Sequence, residues 1–96
     1  MPTFGIVETM RQPAEWMQMP TDDRILEALE TGLSLTPAVI AENIDKSRQH
    51  VTRRLSALRE HGFVERPKRG YYVIADRGQL YLTGELDSSD LEDNDD

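Results

Sequence analysis

The sequence predicts a small, mainly α-helical domain that carries one β-hairpin. Three observations lead there. Apolar residues recur at helical spacing in three segments between residues 21 and 62. Two short runs of β-forming residues flank the turn-forming stretch "RPKRG" at 66 to 70. An acid followed three residues later by Gln, at Asp76 and Gln79, opens a last helical segment. The chain has 96 residues and no cysteine, which suits one domain whose single core holds it together without disulfides or thiolate metal sites.

The elements follow in order. Residues 1–20 form an N-terminal arm in which Phe4, Trp16, Met17 and Met19 show no clean period; such side chains pack either on their own domain or on a partner subunit. The first helix starts with Thr21 as N-cap and Asp22 and Asp23 in the first turn, and stops at Gly32. Its buried stripe is expected to be Ile25, Leu26, Leu29 and Leu33. Leu33 to Leu35 reads as a short strand. Thr36 followed by Pro37 is a cap with proline at the first helical position, opening a second helix that runs to about Ile44 and buries Val39, Ile40 and Ile44.

Asp45 and Lys46 leave room only for a tight turn before a third helix, capped by Ser47 and ended by Gly62. There Val51, Leu55 and Leu58 fall within about 60° of one another at roughly 100° per residue, which marks the buried side. Gln49, Arg53, Ser56 and Glu60 lie opposite. Arg48 and Thr52 flank that outer face on one edge and His50 on the other. "FVERPKRGYYVIAD" then reads as a hairpin with a basic tip. The last helix takes Asp76 as N-cap and presents Leu80, Tyr81, Leu82 and Leu86, with Gly78 and Gly84 weakening it. The folded domain is thus expected over 21–87. Residues 88–96 form an acidic tail too poor in apolar groups to offset its ordering entropy, so it is expected to be disordered.

Charge is distributed unevenly along the chain. Residues 1–84 are neutral, and all seven surplus acids behind the net charge of −7 lie in the last twelve residues. Residues 22–45 hold six acids against one base, whereas 46–77 hold nine bases against three acids. The molecule is electrically polarised, and its basic segment is the kind that phosphate backbones attract.

The order helix, short strand, helix, tight turn, helix, hairpin, helix is that of a winged helix-turn-helix domain. Ala41 is small where the two helices of the motif must approach closely, and Ile44, Val51 and Leu55 fill the angle between them. Asp45 stands where the turn usually has glycine, and Lys46 where it is usually apolar; Asp tolerates the left-handed conformation better than most residues. The stretch "TPAVIAENIDKSRQHVTRRLSALREHGFVERPKRGYYVIADRGQLYLTGELD", with "WMQMPTDDRILEALE" before it, resembles the small winged-helix transcriptional regulators of halophilic archaea, phage-repressor-like members included, within the broad MarR/ArsR-like class. The nine Arg to two Lys, beside surplus acids, are similar to the composition of proteins from salt-loving archaea. The resemblance covers residues 16–87 and implies a DNA-binding regulator, a repressor by type. It also implies a recognition helix at 47–61 and a homodimer.

A recognition helix presents its first two turns to base edges in the major groove. Here those turns offer Ser47, Arg48, Gln49, His50, Thr52 and Arg53. Arg pairs with guanine and Gln with adenine through two hydrogen bonds each. Arg54, nearer the core edge, either adds to this face or pairs with an acid of the second helix. In the hairpin, Arg66, Lys68 and Arg69 are expected to lie along the phosphate backbone or enter the minor groove. The helix beginning at Thr36 offers its positive dipole end to a phosphate. Double-stranded DNA is therefore the expected partner, together with a second copy of the chain joined through the arm and the last helix.

Other chemistry is sparse. His50 and His61 stand 11 positions apart without cysteine, so no metal site is expected, and His61 is expected to meet carbonyls at its helix end. There is no glycine-rich phosphate loop, nucleophile elbow or convergent carboxylate pair, so neither an enzyme nor a cofactor is expected. No apolar run approaches the roughly 20 residues of a membrane span, and the first twenty residues lack a signal-peptide pattern; a cytoplasmic protein is expected. The rival reading is a winged-helix protein-interaction module that uses the same faces without DNA.

Overall fold

The structure, a computed structural model, describes residues 11–86. In chain order its elements are α1 (Thr21–Leu29), α2 (Pro37–Ile44), α3 (Arg48–Glu60), β1 (Val64–Lys68), β2 (Tyr71–Ile74) and α4 (Asp76–Leu82). Phe4 of the arm and the acidic tail lie outside the described residues.

Helix α1 buries Ile25, Leu26 and Leu29, α2 buries Ile40 and Ala41, and α3 buries Val51, Leu55 and Leu58. These stripes meet over Phe63, Val64, Tyr72 and Ile74 at the base of the hairpin, and Tyr81, Leu82 and Leu86 close the core from the C-terminal side. The β1–β2 pair is antiparallel, with Val64 opposite Ile74 and Lys68 opposite Tyr71 across a register irregularity between Glu65 and Lys68. The predicted strand at Leu33 to Leu35 is reduced to one bridge: Leu35 and Tyr72 exchange N–H to carbonyl bonds of 2.9 and 2.8 Å. The chain therefore folds as a winged helix-turn-helix, four helices and a two-stranded wing among the described residues.

Cap chemistry explains the two helices of the motif. Thr36 Oγ1 accepts from Val39 N at 3.2 Å with Pro37 next in line, and Ser47 Oγ accepts from His50 N at 3.1 Å. Asp45 sits at φ 63° and ψ 47°, the left-handed conformation the tight turn needs. Gly62 ends α3 at φ 82°, with Phe63 N donating to Leu58 O at 2.8 Å.

Several side chains depart from expectation. Thr21 is not a cap but the first residue of α1, preceded by Pro20 with no side-chain cap bond. Asp22, within the first turn, does not cap the helix either; its carboxylate accepts from Gln18 N in the preceding segment at 3.0 Å. Asp76 likewise begins α4 without capping it; the preceding Ala75 is extended, and its N–H goes to Phe63 O at 2.9 Å. Leu33, Val39 and Leu80 are exposed rather than buried. Gly32 turns the chain at φ 89°, so Leu33 leaves the α1 stripe, while Val39 and Leu80 lie on the sides of α2 and α4 away from their buried residues. Gly84 does not weaken α4 but ends it: at φ 82° it lets Glu85 N donate to Leu80 O at 2.9 Å.

Part of the arm packs on its own chain. Ala14 and Met17 belong to the core, and Trp16 lies partly buried against it. Arg11 reaches across to α1 and α4, donating to Glu27 at 2.6 Å, Asp23 at 3.4 Å and Leu82 O at 3.0 Å.

The Tyr81 hydroxyl completes this junction by donating to Asp23 Oδ1 at 2.6 Å. Burial first, then the neighbouring Asp23 carboxylate, raises the Tyr81 pKa well above its ordinary value. Tyr81→Phe is expected to destabilise the fold by about 1.5 kcal/mol at neutral pH. It also changes the alkaline limb. A raised folded pKa means stability is intact below the unfolded value of about 10 and falls above it, by up to about 1.4 kcal/mol per pH unit, because only the unfolded phenol releases its proton. Urea titrations of both forms from pH 9 upward isolate this slope; parallel curves mean Tyr81 ionises freely in the fold.

Candidate nucleic-acid interface

The outer face of α3 is built by default: once Val51, Leu55 and Leu58 are wholly buried, the residues opposite must face water. Arg48, Gln49, Thr52 and Arg53 are all exposed, as are Ser56 and Glu60 further along. His50 is half-buried at the edge, and Arg53 Nη2 lies 3.5 Å from its Nδ1. Neutral His50 with its proton on Nε2 is the form that accepts from Arg53 there. The Ser47 oxygen is engaged as the α3 cap, leaving its O–H free to donate outward.

The wing carries the second basic group. Arg66, Lys68 and Arg69 are exposed around a turn that Gly70 closes at φ 86°. Lys68 is held against its neighbour strand, with Nζ 4.7 Å from the centre of the Tyr71 ring, so Arg66 and Arg69 are the freer of the three. Thr36 is half-buried and caps α2. The exposed group on α3 and the wing sit on separate elements, linked through Gly62 and the buried Phe63. Among the described residues no group of three or more His, Cys, Asp or Glu side chains is placed to hold a metal ion, and no helix is long and apolar enough to cross a membrane.

The family description "Winged helix-turn-helix phage repressor" matches residues 10–94. The chain belongs to that family. It is 36% identical over 88 residues to the repressor protein of Halobacterium phage phiH, covering 86% of this chain and 98% of the relative. The crystal structure of the PhiH1 repressor-like protein from Haloarcula marismortui has the same fold, with a TM-score of 0.73 and 39% identity over 82% of this chain and 91% of that one. A halophilic archaeal setting fits both relatives and the Arg-rich, acidic composition.

Two bases of this phage-repressor family member stand elsewhere than expected. Arg54 pairs with an acid of α1, not of α2: its Nε and Nη2 each donate to the Asp22 carboxylate at 2.9 Å, and Nη2 also donates to Trp16 O at 3.2 Å. Asp22 is wholly buried. The bond to its carboxylate raises the Arg54 pKa, with burial acting the other way. His61, expected at terminal carbonyls, instead stacks on the Trp16 indole, with centroids 3.9 Å apart and planes 6° from parallel.

These contacts had a partial signal. Asp22 is in phase with Ile25, Leu26 and Leu29, and Arg54 with Val51, Leu55 and Leu58, so an acid and a base each lie on a buried stripe. Such groups must find opposite charge. The Trp16–His61 stack has no comparable periodic signal, because the arm is irregular.

Proposed function

We propose that this chain is a transcriptional repressor that binds double-stranded DNA sequence-specifically, with α3 in the major groove and the wing on the backbone or in the minor groove. The observation that carries this reading is the exposed Arg48, Gln49, Thr52 and Arg53 face, made of side chains that read base edges and carried by a helix whose other side is locked in the core. Membership of the phage repressor family supports it, as do the exposed Arg66 and Arg69 of the wing. Ser47 and Thr36, each at a helix N-terminus, supply backbone-phosphate contacts. Nothing in this arrangement calls for catalysis. The protein acts in the cytoplasm as a homodimer joined through the arm and α4, where Met19 and Leu80 remain 43% and 40% exposed.

Salt shapes the division of labour. At about 1 M salt the screening length is roughly 3 Å, and affinity falls with a log–log slope of about −0.9 per phosphate neutralised. Direct base contacts must then carry more of the binding than in a dilute cytoplasm.

Binding-site selection from random duplexes, followed by footprinting at one salt concentration, tests the reading. Arg53→Ala is expected to lose about 1–3 kcal/mol of discrimination at one base position, whereas Lys68→Ala weakens all sequences about equally and lowers the salt slope by about 1. A dimer protects two half-sites about 34 Å apart. Unchanged preference in Arg53→Ala removes the base-reading assignment, and protection of one half-site alone removes the dimer. Retention of an acidic protein with no affinity for any duplex favours the interaction-module alternative.

A further inference from the structure

The buried stripe of α3 decides which side of the helix faces inward, but apolar contact is non-directional and defines rotation about the helix axis only loosely. The directional contacts come from the segment before α1 and from the first turn of α1 itself. At mid-helix, Arg54 is held by both oxygens of Asp22 and by the Trp16 carbonyl. Gln18 N, two residues on, donates to the same carboxylate. At the C-terminal end, the Trp16 indole stacks on His61 and meets Phe63 edge-on at 5.5 Å and 77°. One residue of the arm thus touches α3 at two points about two helical turns apart, by its carbonyl and by its ring.

We propose that Trp16 is a positioning residue for DNA reading, fixing the rotation of α3 and so the direction in which Gln49 and Arg53 point. The proposal rests on the assignment of α3 as the base-reading helix. At the outer radius of a helix, about 5–6 Å, a rotation of about 15° carries a side-chain group roughly 1.5 Å. Two-bonded recognition of a base edge needs placement to about 0.5 Å. Attraction to phosphates is far more tolerant, because it depends on charge and distance rather than on alignment. Loosening the Trp16 contact should therefore erode discrimination and spare non-specific binding.

The test uses the full chain and two labelled duplexes, the selected operator and its scrambled counterpart, at one salt concentration and well below each variant's melting temperature. Trp16→Ala and His61→Ala are expected to lower the operator-to-scrambled affinity ratio about tenfold, within the range one bidentate contact supplies, with scrambled-duplex affinity nearly unchanged. Trp16→Phe keeps a stacking ring and removes an indole N–H that is buried without a hydrogen-bond partner among the described residues; it is expected to retain the wild-type ratio. His61→Ala leaves Trp16 and the core residues of the arm in place and carries the test if Trp16→Ala does not fold. A merely structural role lowers both affinities in proportion to the folded fraction and leaves the ratio unchanged, and that result overturns the proposal. A wild-type protein that prefers no duplex instead overturns the base-reading assignment, and the positioning role with it.

Discussion

Arg54→Ala is expected to cost about 3–5 kcal/mol of folding stability, because it breaks a buried ion pair. The Arg54 side chain is only 13% exposed and the Asp22 side chain not at all. Removing the base leaves a carboxylate in the core whose remaining donor among the described residues is Gln18 N, and it leaves the Trp16 carbonyl without the bond Arg54 makes to it. A domain of this size has a total stability of about 5–15 kcal/mol, so much of it would go. Urea unfolding followed by far-ultraviolet circular dichroism reads the loss as a lower midpoint at unchanged slope. Adding Asp22→Asn to Arg54→Ala is expected to restore part of it, because an amide is less costly to bury than an uncompensated charge. A loss under about 1 kcal/mol, with no recovery in the double variant, would mean that water reaches Asp22.

Gly78→Ala is expected to destabilise by about 3 kcal/mol, at the upper end for overpacking. A Cβ at position 78 would lie 2.4 Å from Phe63 O and 2.9 Å from Ile74 Cγ1. The first of these is backbone that already accepts from Ala75 N at the base of the wing, so it cannot swing aside as a long side chain would. Either α4 lifts from the hairpin or the hairpin base opens, and both uncover Phe63 and Tyr81, whose rings lie 5.6 Å apart. The same melts measure it, and a neutral result would show that α4 shifts freely on the sheet. The requirement for glycine here is one of space, not of backbone conformation.

The helices, the turn and the wing were legible in the sequence because their signals are local. Thr36-Pro37 and Ser47 cap as read, Asp45 accepts the left-handed turn, and the 51–55–58 stripe is buried. Side-chain partners were less legible. Asp22 looks like a residue placed to suit the helix dipole until the phase of its neighbours is considered, and Arg54 looks like one more base in a basic helix. Pairing them takes knowledge of which helices lie side by side, which periodicity does not contain. Leu33, Val39 and Leu80 depart from expectation for two reasons: Leu33 lies beyond the end of α1, whereas Val39 and Leu80 lie within their helices on the side away from the buried residues. The outward face of α3 was readable because exposure follows from the phase of the core; how the arm grips the back of that helix was not.

The distribution of ion pairs separates two responses to the surroundings. Arg54 and Asp22 meet where mobile ions do not penetrate, so their attraction is little screened, whereas the bases of α3 and the wing stand in the solvent that salt fills. Ionic strength thus becomes a dial with one scale. For the proposed repressor, raising it would relax the hold on a phosphate backbone while the Arg54–Asp22 pair stays in place, so binding would follow salinity without a cycle of unfolding and refolding.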